Sequence, residues 1–140
     1  MKFIREFNQY NNDILINDIK KSLIMENLVD EEEFEEKYGF DYDKAWINFV
    51  DNQENGDCQS IVSNIVDDFP RVKKCFGEIE VDECYIDEWG DEQNLVTHHW
   101  VEIDGNMYDF SKGTLRNYIS WSDIYDIDIE EDKWRYNKSG

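Results

Sequence analysis

The run from His98 to Phe110, HHWVEIDGNMYDF, constrains this chain more than any other stretch. Apolar and polar residues alternate on either side of Asp104-Gly105, and an Asp-Gly pair in that setting is the strongest short signal for a two-residue hairpin turn. The turn then sets the register, with Ile103 opposite Asn106, Val101 opposite Tyr108 and Trp100 opposite Asp109. Strand side chains alternate, so His98, Trp100, Glu102, Met107, Asp109 and Ser111 fall on one face. His99, Val101, Ile103, Tyr108 and Phe110 fall on the other. His98 becomes the diagonal neighbour of Asp109, within reach of a hydrogen bond. A three-residue turn would bring His99 to the Asp109 face instead. The Asp-Gly pair selects His98.

Before Gly77 the periodicity is helical. Ile14, Leu15, Ile19, Leu23 and Ile24 recur on one helical face. Asp30 is placed to cap a short helix carrying EEEFEE, whose early glutamates suit the positive end of the dipole, and Gly39 to stop it. Asp41 would cap the next helix, with Tyr42, Ala45, Trp46, Phe49 and Val50 on one side. In NGDCQSIVSNIVDDFP a loop leads into a helix with the stripe Ile61, Val62, Ile65, Val66 and Phe69, ended by Pro70. Cys58 lies in its first turn, with Gly56 or Asp57 at the cap. Beyond Gly77, EIEVDECYI alternates as an exposed or edge strand would, while NYISWSDIYDIDI fits either a strand or a short helix. The order predicts an α+β domain spanning 1–140, in which N-terminal helices and a Cys-bearing helix pack on a small antiparallel sheet. Its parts would be a helical segment 1–52, a core 56–111 and an extension 112–140.

Charge narrows the function classes. The chain carries 34 acidic and 14 basic residues, a net −20, so nucleic-acid backbones and anionic membranes should be repelled. A solvated acidic surface is the simpler reading; docking onto a basic protein partner, or imitation of nucleic acid, is the sharper one. Aromatic residues at 15% argue for a packed core rather than acidic disorder. No apolar run approaches ~20 residues, and MKFIREFNQYNND lacks the pattern of a secretory signal, so the expected compartment is the cytoplasm, a host's if the chain is phage-encoded. Cys58, Cys75 and Cys84 are odd in number and lack CxxC spacing, which disfavours a disulfide framework or a zinc knuckle.

A thiol enzyme needs an activated cysteine, a histidine to move the proton and a group that orients the histidine. A helix start favours the thiolate, and its amides suit an oxyanion. Cys58 has that position; Cys75 and Cys84 read as ordinary packed cysteines. His98 and Asp109 supply the remaining parts, with His99 as the alternative base. A zinc site from Cys58, Cys84, His98 and His99 is disfavoured, because adjacent strand residues point to opposite faces. No metal and no cofactor is expected.

Gly56-Asp57-Cys58, then His98-x-Trp100-x-Glu102, Gly105 and Tyr108-Asp109, resemble the cysteine and the His and Asp strands of transglutaminase-like and papain-like cysteine domains. The resemblance covers roughly Gly56 to Ser111. It implies a Cys58 nucleophile, a His98 general base and acid, and an Asp109 that orients the histidine. Gln53 lies about where papain-like enzymes carry an oxyanion-binding glutamine, although a plain surface residue is the simpler reading, and Trp100 is a candidate accessory residue. Gln59 stands where many transglutaminases have tryptophan. The implied activity is amide hydrolysis or acyl transfer on a protein or peptide substrate through a Cys58 thioester, as peptidase, deamidase or transglutaminase-like enzyme. The alternative is a non-enzymatic acidic inhibitor with a vestigial triad, for which a composition rich in Asn, Asp, Ile, Lys and Tyr suggests, by analogy, a phage or an AT-rich bacterium.

Overall fold

The computed structural model describes residues 2–26, 31–39 and 41–139. They form an α+β protein of four helices and a four-stranded antiparallel sheet. The chain divides into two compact units, Met1–Phe49 and Val50–Gly140. None of the described helices is long and apolar enough to cross a membrane.

The first unit is helical. In α1 (Lys2–Met25), Ile19, Leu23 and Ile24 are buried, whereas Ile14 stays exposed although it belongs to the same expected stripe. The cap expected at Asp30 lies outside the described residues. Phe34 is the buried anchor of α2 (Glu31–Tyr38), its ring 4.7 Å from that of Tyr42. Gly39 ends this helix with a φ of +57°, donating its N–H to the Glu35 carbonyl, a left-handed stop that suits glycine. Asp41 caps α3 (Tyr42–Asp51) as expected, its Oδ1 accepting the N–H groups of Asp43 and Lys44.

The second unit holds the sheet, in the order β3-β2-β1-β4. The hairpin has the two-residue turn: Ile103 pairs with Asn106 and Val101 with Tyr108, joining β2 (Glu92–Ile103) to β3 (Asn106–Tyr108). Asp104 and Gly105 both have positive φ, as a type I′ turn requires. The alternation predicted for EIEVDECYI is present in β1 (Lys73–Ile86), where Cys75, Ile79 and Val81 are buried. From Glu80 to Ile86 it has a strand partner on one side only, as an edge would, whereas Glu78 and Ile79 lie between two strands. β1 pairs along one side with β2, and Gly77 to Ile79 pair on the other side with β4 (Tyr136–Lys138). That closure depends on Gly77, because a Cβ there would lie 2.0 Å from the Asn137 carbonyl oxygen.

α4 (Asp57–Asp68) buries Cys58, Ile61, Val62 and Ile65 and packs on β1 and β2. Both faces of β2 near the hairpin are buried, since Trp100 and Val101 are each fully enclosed. Trp100 joins Cys75, Ile79, Val81, Leu115, Ile119, Ile129 and Tyr136 in one apolar cluster. The segment NYISWSDIYDIDI is neither strand nor helix; it runs as bends and turns, with one isolated bridge between Tyr108 and Asp128. Lys112 holds this segment in place. Its side chain is 1% exposed and its ammonium donates to Ser122 Oγ (2.9 Å) and the carbonyls of Asp126 (2.5 Å) and Asp128 (3.4 Å). These carbonyls belong to no ladder, so a buried ammonium supplies the donors that strand pairing would otherwise provide.

Candidate active site

Cys58 is the second residue of α4. Gly56 precedes the helix with a φ of +93° and offers no side-chain cap. First-turn N–H groups have no intrahelical acceptor, and although the Asp57 N–H is taken by the Glu54 carbonyl at 3.1 Å, a helix start brings positive potential to the sulfur. The Asp57 carboxylate is turned back to the Glu54 N–H at 2.8 Å, which fixes the loop before the helix.

β3 ends at Tyr108, and beyond it the outer edge of β2 is free of strand pairing. Here the backbone N–H of His99 reaches the Cys58 sulfur, and the His99 carbonyl accepts from Ser111 Oγ at 3.1 Å. His99 therefore meets the site through its backbone. Its ring packs on Phe76, with centroids 4.8 Å apart, on the face away from Asp109. Burial and the nearby charges of Lys74 and His98 push its pKa below the ordinary value.

His98 is fully buried. Its Nε2–H donates to Asp109 Oδ2 at 2.9 Å. Nδ1 is buried and has no hydrogen-bond partner among the described residues, and the Cys58 thiol lies close enough to the ring to favour its protonated form. Asp109, 1% exposed, receives more than this one bond. Tyr136 O–H donates to the same Oδ2 at 2.7 Å, and the Ser111 N–H donates to Oδ1 at 2.9 Å. Ser111 Oγ lies 3.0 Å from Oδ1 and 3.1 Å from the His99 carbonyl, so its single proton serves one of the two acceptors.

The electrostatics follow from this enclosure. Burial alone would keep His98 neutral, but the charge of Asp109 and its hydrogen bond outweigh it and raise the imidazolium pKa to about 9. Burial likewise opposes ionisation of Asp109, yet His98, Tyr136 and the Ser111 amide hold its carboxyl below the ordinary value. Burial penalises the Cys58 thiolate, but His98 and the His99 N–H more than compensate, and the thiol pKa falls below its usual value. Opposite shifts on a touching pair favour thiolate with imidazolium over thiol with imidazole.

Other residues singled out by sequence occupy different places. Gln53 is not on the surface; it is 5% exposed and its Nε2 donates to the Phe110 carbonyl at 2.9 Å, which uses one of its two N–H bonds. Trp100 gives its indole N–H to the Met107 sulfur at 3.2 Å and belongs to the core. Cys75 is buried as expected, whereas Cys84 is exposed beside an irregularity in the β1–β2 pairing rather than packed. Tyr136 and Ser111 had no assigned role in the sequence. Ser111 was legible as a neighbour of Asp109 on the hairpin face. Tyr136 had no local signal, because its partner lies in a different strand pair. No protein-family model matches this chain, and comparison with curated proteins and with solved structures finds no match.

Proposed function

We propose that this protein is a small thiol-dependent amide hydrolase or acyl transferase with a papain-like or transglutaminase-like core. The observation that supports the reading is that the Cys58 thiol, the His98 ring and the Asp109 carboxylate are buried together and act on one another's ionisation, His98 and Asp109 through a direct hydrogen bond, contributed by a helix start, a strand and the turn after a hairpin. Enclosing three coupled titratable groups carries a desolvation cost, and clusters of this kind concentrate at functional sites.

The steps balance within these residues. His98 Nδ1 takes the Cys58 proton, and the sulfur attacks the carbonyl carbon of an amide. The oxyanion forms beside the first-turn amides of α4, Cys58 N–H among them. His98 then gives its proton to the departing nitrogen, the C–N bond breaks, and a thioester remains on Cys58. Water or an amine attacks the thioester while His98 removes the incoming proton, and the thiol is restored. Asp109 stays ionised and keeps Nδ1, not Nε2, directed at the sulfur. Water as acceptor gives peptidase or deamidase chemistry, and an amine gives acyl transfer.

The test is acyl exchange with hydroxylamine across a panel of peptide amides, including glutamine side-chain amides. The native chain should form hydroxamate and show a thioester adduct at Cys58 by intact mass, and Cys58→Ala should form neither. Equal product from Cys58→Ala, or none from the native chain on any member of the panel, overturns the reading.

A further inference from the structure

We propose that Tyr136 is a positioning residue of this site, one that holds the Asp109 carboxylate and shares the oxygen with which Asp109 draws on the His98 proton. Its catalytic meaning rests on the acyl-transfer reading above; the geometry stands without it. Two donors converge on Asp109 Oδ2, His98 Nε2–H at 2.9 Å and Tyr136 O–H at 2.7 Å. The other oxygen is held by the Ser111 N–H, so the carboxylate cannot turn to give each donor an oxygen of its own. The phenol is equally fixed. Tyr136 is 5% exposed, and its ring meets Trp100 and Trp121 edge-on at 5.1 and 6.3 Å.

An acceptor whose charge is divided between two donors binds each less strongly than it would bind one. That division suits a histidine with two opposite tasks. His98 has to hold the proton taken from Cys58 and then release it to the departing nitrogen, and an imidazolium gripped too firmly is a poor acid. Tyr136 remains a donor throughout, since burial and the Asp109 charge push its ionisation well above the ordinary phenol value. The charged and titratable groups around Asp109 are His98 from β2, Cys58 from α4, Lys112 from the following turn and Tyr136 from β4. Asp132 adds its charge on Tyr136.

The experiment is an NMR titration of His98 in the full chain carrying Cys58→Ala, which removes coupling to the thiol. Adding Tyr136→Phe keeps the ring packing and removes the second donor, and the His98 midpoint should rise by about half a unit or more. Incorporating 3-fluorotyrosine at Tyr136 strengthens the donor and should move the midpoint down, and it serves if the phenylalanine variant folds poorly. A midpoint that stays in place, or that moves opposite to these directions, overturns the proposal. Thiol alkylation of the Cys58-containing protein separates the two readings. An ordinary thiol alongside a responsive His98 defeats acyl transfer and leaves the positioning intact, while an activated thiol with an indifferent His98 defeats the positioning alone.

Discussion

Gly77 lies under the Asn137 carbonyl so closely that a Cβ at position 77 would sit 2.0 Å from the oxygen. The contact is backbone against backbone, and the ladder pairs Gly77 with His98 on one side and Lys138 on the other. Gly77→Ala is therefore expected to lift β4 from β1, at a cost of about 2–4 kcal/mol. Hydrogen exchange should show loss of protection at Ser139 and along β4 while α4 keeps its own. Unchanged β4 protection in a folded Gly77→Ala protein would contradict this.

Removing the thiol should change how stability responds to pH. His98 has a folded pKa of about 9 against an ordinary 6.5, so between those values the folded state holds a proton that the unfolded chain has released. Its contribution is complete below pH 6.5 and is lost as pH rises through 9. Cys58 acts in the opposite sense, because its lowered pKa means that the folded state has released a proton the unfolded chain keeps. The two slopes oppose one another in the native protein. In Cys58→Ala only the histidine slope remains, up to ~1.4 kcal/mol per pH unit, over a window that ends below 9 because the thiol no longer supports the imidazolium. Urea unfolding just above pH 6.5 should fall more steeply for the variant, and parallel curves would count against the coupled pair.

Asp109→Asn sets an amide N–H against an array of donors. His98, Tyr136 and Ser111 all donate to this carboxylate, so one bond is replaced by a donor–donor contact inside the protein. A loss of about 2–4 kcal/mol is expected, with the His98 midpoint falling well below its native value of about 9, because burial then acts on it with only Cys58 in support. Chemical denaturation and NMR titration read the two effects separately. Native Asp109, its pKa lowered, contributes stability that is present above pH 3.8 and lost as pH falls through the folded value.

Lys112→Met tests the ammonium that organises the C-terminal segment. Methionine fills much of the volume but leaves the carbonyls of Asp126 and Asp128 without their buried donor. About 2–4 kcal/mol of destabilisation is expected, with faster exchange concentrated in residues 122–128. A loss of that size spread evenly over the unit would point to packing instead.

The hairpin was legible because its information is local: Asp104-Gly105 dictates the turn, and the period of two assigns His98 and Asp109 to one face. The start of α4 was legible for the same reason, since Gly56 and the stripe ending at Pro70 bracket the helix. What stayed hidden depends on contacts between distant segments. Tyr136 reaches Asp109 from a three-residue strand whose pairing depends on the missing side chain of Gly77. Gln53 is polar and looped, and only the fold reveals that it is enclosed against Phe110. The acidic run around Asp123 to Asp128 carries no strand or helix period, and its carbonyls are met by scattered partners, Lys112 at Asp126 and Asp128 and the Asp109 N–H at Ile127.

The most direct measurement is the pH dependence of Cys58 alkylation by iodoacetamide, made in a Cys84→Ser background so that the exposed thiol does not compete. The midpoint matters rather than the rate, since Cys58 is only 8% exposed. A thiolate held by His98 gives a midpoint clearly below the ~8.5 of a free thiol, and His98→Ala moves it up to that value or higher. A native midpoint at or above 8.5, unmoved by His98→Ala, would contradict the proposal that Cys58 is an activated nucleophile.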